Sequence, residues 1–215
     1  GGKDPGANGP RKRYEKYAVL GVGKKLSSIL KSRGYKVFMT RSIDKYRTLK
    51  YRTKYANNKK ADLFISIHAN AVPKKKRNRI YGIETYYLSP ARSERAKRVA
   101  AKENKADIKS MSYGTKNVFL MTQNRAKITA SNKLALDVQN NMLHNLKKKY
   151  KYIKDNGVRK GPFWILVGAQ MPSILIEVGY ISHPRESKRL YTSSYQNTLA
   201  TGIANGIDSY FLKNK

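Results

Sequence analysis

Three side chains have the types and positions to do chemistry: His68, Glu177 and Glu15. His68 ends the apolar run Leu63-Phe-Ile-Ser-Ile67 and is followed by Ala-Asn-Ala. A run this short and this apolar predicts a parallel strand buried on both faces. In open α/β sheets chemistry collects where the carboxyl ends of strands open into loops, and His68 falls there. Glu177 lies inside Ser173-Ile-Leu-Ile-Glu-Val-Gly-Tyr-Ile-Ser182. A carboxylate in so apolar a strand is costly to bury without a partner or a function. Taken alone, an ion pair with one of the many cations would account for it. Glu15 opens a helix after a Gly-rich loop, where a carboxylate ordinarily complements the helix dipole. Together the three suit hydrolytic zinc: nitrogen and oxygen ligands plus a spare carboxylate to handle protons.

Other candidates have plainer readings. Glu84 alternates between Ile83 and Thr85 in a strand, which fits a cross-strand ion pair. His144 sits in a basic amphipathic helix as a surface or packing residue. His183, beside Pro184, stands where a helix cap is expected. The phosphate-binding loop and the dinucleotide glycine fingerprint are absent, since Gly21-Val-Gly23 lies inside a helical pattern with no strand before it. No Ser occupies a glycine-flanked nucleophile elbow. With no cysteines, thiolate ligands and a Cys nucleophile are excluded.

The elements that must position these residues alternate between helix and strand. Ala18, Val19, Val22, Leu26, Ile29 and Leu30 predict a helix over 14–33, stopped by Gly34 and followed by a short β-rich run, Tyr35 to Thr40. A second helix over 46–59 leads into the His68 strand. Further strands are expected at Ile80 to Leu88, Phe163 to Val167 and Ile174 to Val178, with helices at Ser131 to Lys149 and Gln196 to Leu212. This alternation predicts a single α/β domain with a mostly parallel twisted sheet covered by helices on both faces. Residues 91–130 break the pattern with a polar helix over 93–109 and an irregular stretch, longer than a compact domain needs as a connection.

The 215 residues suffice for one such domain. No apolar run approaches the roughly 20 residues of a membrane span. The net charge of +33 points to polyanionic surroundings. Nucleic acid is the default partner for such a chain, yet the cations are spread along its whole length rather than gathered in one tail, so charge alone does not name the polyanion.

The ordered motifs Gly1-Gly-Lys-Asp-Pro-Gly-Ala7, Glu15, Ser66-Ile-His-Ala-Asn-Ala71, Gly82-Ile-Glu-Thr-Tyr86, Phe163 to Pro172 and Ile176-Glu-Val-Gly-Tyr-Ile-Ser182 resemble the zinc-dependent N-acetylmuramoyl-L-alanine amidases. These are bacterial cell-wall hydrolases of the autolysin and cell-separation type. The resemblance runs nearly end to end. It implies one zinc ion held by Glu15, His68 and a histidine immediately before Gly1, so that the catalytic domain is truncated along with the first of about six strands. Glu177 is then the catalytic carboxylate, and the bond cleaved joins N-acetylmuramic acid to L-alanine of peptidoglycan. The substrate places the enzyme in the periplasm or secreted at the wall, with no specific nucleic acid partner. In some relatives the segment equivalent to 91–130 plugs the site until an activator protein displaces it. Glu94 and Glu103 are the candidate plugging groups. The rival readings are a non-catalytic basic domain that binds cell-wall or nucleic-acid polyanions, and a zinc peptidase or deacetylase on a related scaffold.

Overall fold

The computed structural model describes residues 1–89, 93–104 and 125–214. Four strands form one sheet in the order β1-β4-β2-β3. They are β1 (Phe64–Asn70), β2 (Ile83–Leu88), β3 (Asp155–Gly161) and β4 (Ser173–Tyr180). β1 runs parallel to β4, β2 runs parallel to β3, and β2 and β4 are antiparallel. The expected single α/β domain with a mostly parallel sheet is therefore present. The described residues hold four strands rather than about six.

Two expected strands differ, and a strand absent from the sequence reading appears. Tyr35 to Thr40 is in no strand. A groove of about 400 Å³ lies between it and β1, lined on both sides by Tyr35–Arg41 and Asp62–His68. Without a ladder partner an extended segment forms no sheet. Phe163 to Val167 instead makes a helical turn, α5 (Trp164–Val167), with Ile165, Leu166 and Val167 all buried. An apolar run of five has no period to separate helix from strand. β3 was missed because Asp-Asn-Gly-Val-Arg-Lys-Gly carries little β propensity. It holds its place at the sheet edge, where charged residues are tolerated.

The helices cover both faces. α1 (Glu15–Ser32) buries Ala18, Val22, Leu26 and Leu30, spaced four apart. With α4 (Arg125–Lys149) and α7 (Ser193–Lys213) it covers Ile174, Ile176 and Val178 of β4. α7 approaches α4 closely at Gly202, where an added Cβ would lie 2.6 Å from Met142 Cα. On the opposite face, α2 (Leu49–Asn58), α3 (Glu94–Asn104) and α5 pack over Phe64, Tyr86, Leu88 and Leu175. A short α6 (Pro184–Leu190) precedes α7. The segment 91–130 is described only at 93–104 and 125–130; the remainder of that expected insertion lies outside the described residues. Among the described residues, no helix is long and apolar enough to cross a membrane.

Because side chains alternate along a strand, Ser66 and His68 share a face with Phe64, Glu177 with Leu175, and Glu84 with Tyr86. All of them point toward α3.

Candidate active site

Register lines up the chemistry. His68 pairs with Glu177 across β1 and β4, and Glu177 pairs with Glu84 across β4 and β2. One rung of the sheet thus carries a histidine and two carboxylates on a single face. Glu15 joins them from the first turn of α1. Its carboxylate accepts backbone N–H groups from Ala7 at 2.7 Å and Ala69 at 3.1 Å. Oε1 also lies 3.1 Å from His68 Nδ1. Gly6 makes this approach feasible, since a Cβ there would sit 2.5 Å from Glu15 Oε2 and its φ is +67°. The other ring nitrogen of His68 meets Ser66 Oγ at 3.0 Å, which fixes the ring orientation.

α3 lies across this rung. Glu103 Oε2 reaches His68 Nδ1 at 2.8 Å, and Lys102 Nζ stands 3.6 Å from Glu103 Oε1. At the helix's other end Arg95 Nη2 meets Glu84 Oε2 at 2.8 Å. Glu94, the other candidate plugging group, is 74% exposed and pairs with Lys97. Burial pulls the His68 pKa down, but Glu103 and Glu15 more than offset it and hold it up at about 10. Glu103 is held below the usual carboxylate range: burial opposes ionisation, and His68 and Lys102 prevail.

One nitrogen and two oxygen donors, from His68, Glu15 and Glu103, all lie within 4.8 Å of one another. That donor set suits zinc. Glu177 differs in kind. It is completely buried, and neither carboxylate oxygen has a hydrogen-bond partner among the described residues. Burial first, then the nearby Glu103, pushes its pKa well above the usual value. A buried carboxyl with no structural partner beside a metal-ligand set is equipped to carry a proton.

Comparison with known proteins fits this geometry. A family model described as N-acetylmuramoyl-L-alanine amidase matches residues 1–209. The chain belongs to that family. Amidases of this family are hydrolases of carbon–nitrogen bonds. The amidase AmiA of Escherichia coli K12 is 32% identical over 98% of this chain and 73% of its own length. The solved amidase from Clostridium difficile 630 superposes with a TM-score of 0.74 at 30% identity, covering all of this chain and 94% of that one. The CwlD amidase from Clostridioides difficile, solved in complex with the GerS lipoprotein, gives 0.71 at 25% identity over 99% and 94%.

Within this amidase-family chain the structure brings the sequence-predicted Glu15, His68 and Glu177 together at one end of the sheet. Of the two plugging candidates only Glu103 stands at the site. His183 caps α6 by accepting the Glu186 N–H, as its position suggested, and His144 is exposed. Glu84 does form an ion pair, but its partner Arg95 comes from α3, with the sheet's own Arg159 at 3.7 Å. The sequence reading missed Ser66, Arg95 and Lys102 at the site. It also missed Glu186, whose buried carboxylate accepts backbone N–H groups from Gly82 and Tyr180. The buried stripe Ala96, Val99, Ala100 on α3 continues at helical spacing to Glu103 and could have singled it out.

Proposed function

We propose that this protein hydrolyses the amide between N-acetylmuramic acid and L-alanine in peptidoglycan, with Glu177 as general acid and base. The observation that carries the reading is Glu177 itself, buried without a hydrogen-bond partner and one strand away from His68. Glu15 and His68 would hold one zinc ion, their donor atoms lying together at the carboxyl end of β1. Bound zinc supplies Lewis-acid polarisation of the scissile carbonyl and eases deprotonation of water.

The chain's own groups do the rest. Two backbone N–H groups aim the Glu15 carboxylate, and Ser66 steadies the His68 ring. Glu177 takes a proton from the attacking water and returns it to the leaving L-alanine amine. A non-catalytic polyanion-binding domain would have no use for such a carboxyl. In a Glu177→Gln variant, zinc content is expected to stay at the wild-type level while muropeptide hydrolysis falls at least roughly 100-fold. Turnover at the wild-type rate would overturn the assignment.

In this reading α3, within the insertion at 91–130, plugs the site through the contact of Glu103 with His68, and an activator protein lifts it. The CwlD–GerS complex supports a lipoprotein-type partner. Action on peptidoglycan puts the protein outside the cytoplasmic membrane, in the periplasm or at the wall.

A further inference from the structure

Glu84 has two faces with different occupants. Oε1 is used within the sheet, accepting from Asn70 Nδ2 at 2.9 Å and from the Tyr180 hydroxyl at 3.1 Å. Oε2 faces Arg95 on α3, whose guanidinium also donates to the Tyr180 hydroxyl at 2.8 Å. Glu84 and Tyr180 are 0% and 2% exposed, so this is a walled site for a cation. Arg159 from β3 stands farther off, at 3.7 Å, and donates from the same Nε to the Asn156 carbonyl. Glu103 and Arg95 belong to one helix. Lifting α3 therefore uncovers the metal ligands and empties the Glu84 site together. A buried carboxylate stripped of its counter-charge is strongly unfavourable, so the open state favours another cation there.

We propose that Glu84, with Asn70 and Tyr180, is the subsite for the side-chain ammonium of a basic residue in the stem peptide, and that Arg95 fills it while α3 is docked. This rests on the amidase reading above. Distance selects the residue. Arg95 and Glu103 are eight positions apart, about 12 Å along a helix. His68 and Glu84 are two strands apart, about 10 Å. An extended peptide advances about 3.3–3.6 Å per residue, so the third stem residue begins about 7 Å beyond the first. The four-carbon stem of a lysine-like side chain spans the remainder. The second residue reaches Glu84 only with its side chain fully extended along the peptide direction, and the fifth, beginning about 14 Å away, overshoots.

The test measures binding by calorimetry to the zinc-loaded Glu177→Gln chain, which holds substrate without cleaving it. The probes are N-acetylmuramoyl tripeptides ending in L-lysine, with the ε-amine free or acetylated. Acetylation should weaken binding roughly tenfold or more, the worth of one charge-assisted hydrogen bond. Adding Glu84→Gln should abolish that difference. Adding Arg95→Ala instead should tighten binding of the free-amine peptide several-fold, because the internal competitor is gone; a merely structural ion pair would give no gain. Equal affinity for both peptides, discrimination that survives Glu84→Gln, or no binding to the Arg95→Ala chain overturns the proposal. Wild-type turnover of the free-amine peptide is scored separately, and its absence counts against the amidase reading rather than the subsite.

Discussion

Removing the Glu103 carboxylate is expected to switch the enzyme on. The contact at stake is the 2.8 Å bond between Glu103 Oε2 and His68 Nδ1, with side chains only 12% and 15% exposed. A charge-assisted contact in such a place, to protonated His68 or to the metal that His68 would ligate, is worth at least about 1.5–3 kcal/mol. If α3 is mostly docked, losing that contact shifts the open fraction, and with it the rate, by roughly 10- to 150-fold. Lys102 adds to the effect, since Glu103→Ala leaves its buried ammonium without its carboxylate partner and further disfavours docking. The Arg95–Glu84 pair works the other way and keeps part of the closed population.

The assay is release of stem peptide from purified sacculi by zinc-loaded chain, without activator. Glu103→Ala should be faster than wild type by that factor, with Glu103→Gln between them. Glu94→Ala should match wild type, because Glu94 touches only Lys97 on the solvent side. If Glu103→Ala melts at the wild-type temperature, binds zinc normally and cleaves no faster, the plug is not what limits access and the reasoning fails.

Other perturbations probe the frame. Gly6→Ala combines a φ of +67° with a Cβ 2.5 Å from Glu15 Oε2, so it should displace that ligand. Zinc affinity by competition with a chelator should fall by roughly 10- to 100-fold; an unchanged value would mean that Glu15 is not a ligand. For Glu186, burial pushes the pKa up to about 7 against the pull of two backbone N–H groups. Its folded pKa lies above the unfolded value, so the fold favours the protonated form. Stability is then highest below about pH 4.5 and falls as pH rises through 7, by at most about 3 kcal/mol. Urea midpoints for wild type should drop between pH 5 and 8, and Glu186→Gln should flatten that drop; parallel curves would refute the assignment.

What could be read in the sequence follows from where burial leaves a pattern. β1 and β4 were legible because strands buried on both faces are written in apolar residues, and His68 and Glu177 interrupt those runs. β3 was not, because an edge strand rich in charge and glycine looks like a loop. Tyr35 to Thr40 has β-type residues but no neighbour to pair with, and pairing is not written in a segment's own residues. The helix α3 was the hardest case. Glu94 and Glu103 are nine residues apart, about half a revolution beyond two full turns, so they point to opposite sides. Only the weak stripe of Ala96, Val99 and Ala100 says which side is down. Arg95 and Lys102 gave no sign of their partners, because a cation among 46 cations stands out only when the carboxylate it meets is known.

That excess of cations gives the site its electrical character. Of 13 acidic residues, Glu15, Glu84, Glu103 and Glu177 converge on one face of the sheet, beneath a surface dominated by lysine and arginine. A cleft of one sign in a low-dielectric wall focuses the field, and here the cleft opposes the rest of the molecule. On the subsite proposed above, such a field would draw in a peptide that presents an ammonium. α3 supplies the same complement internally, with Arg95 on Glu84 and Lys102 beside Glu103, so the docked helix covers those two carboxylates without leaving them unpaired. Glu177 is the exception, and a carboxyl that neither the helix nor the sheet satisfies is the one left for chemistry.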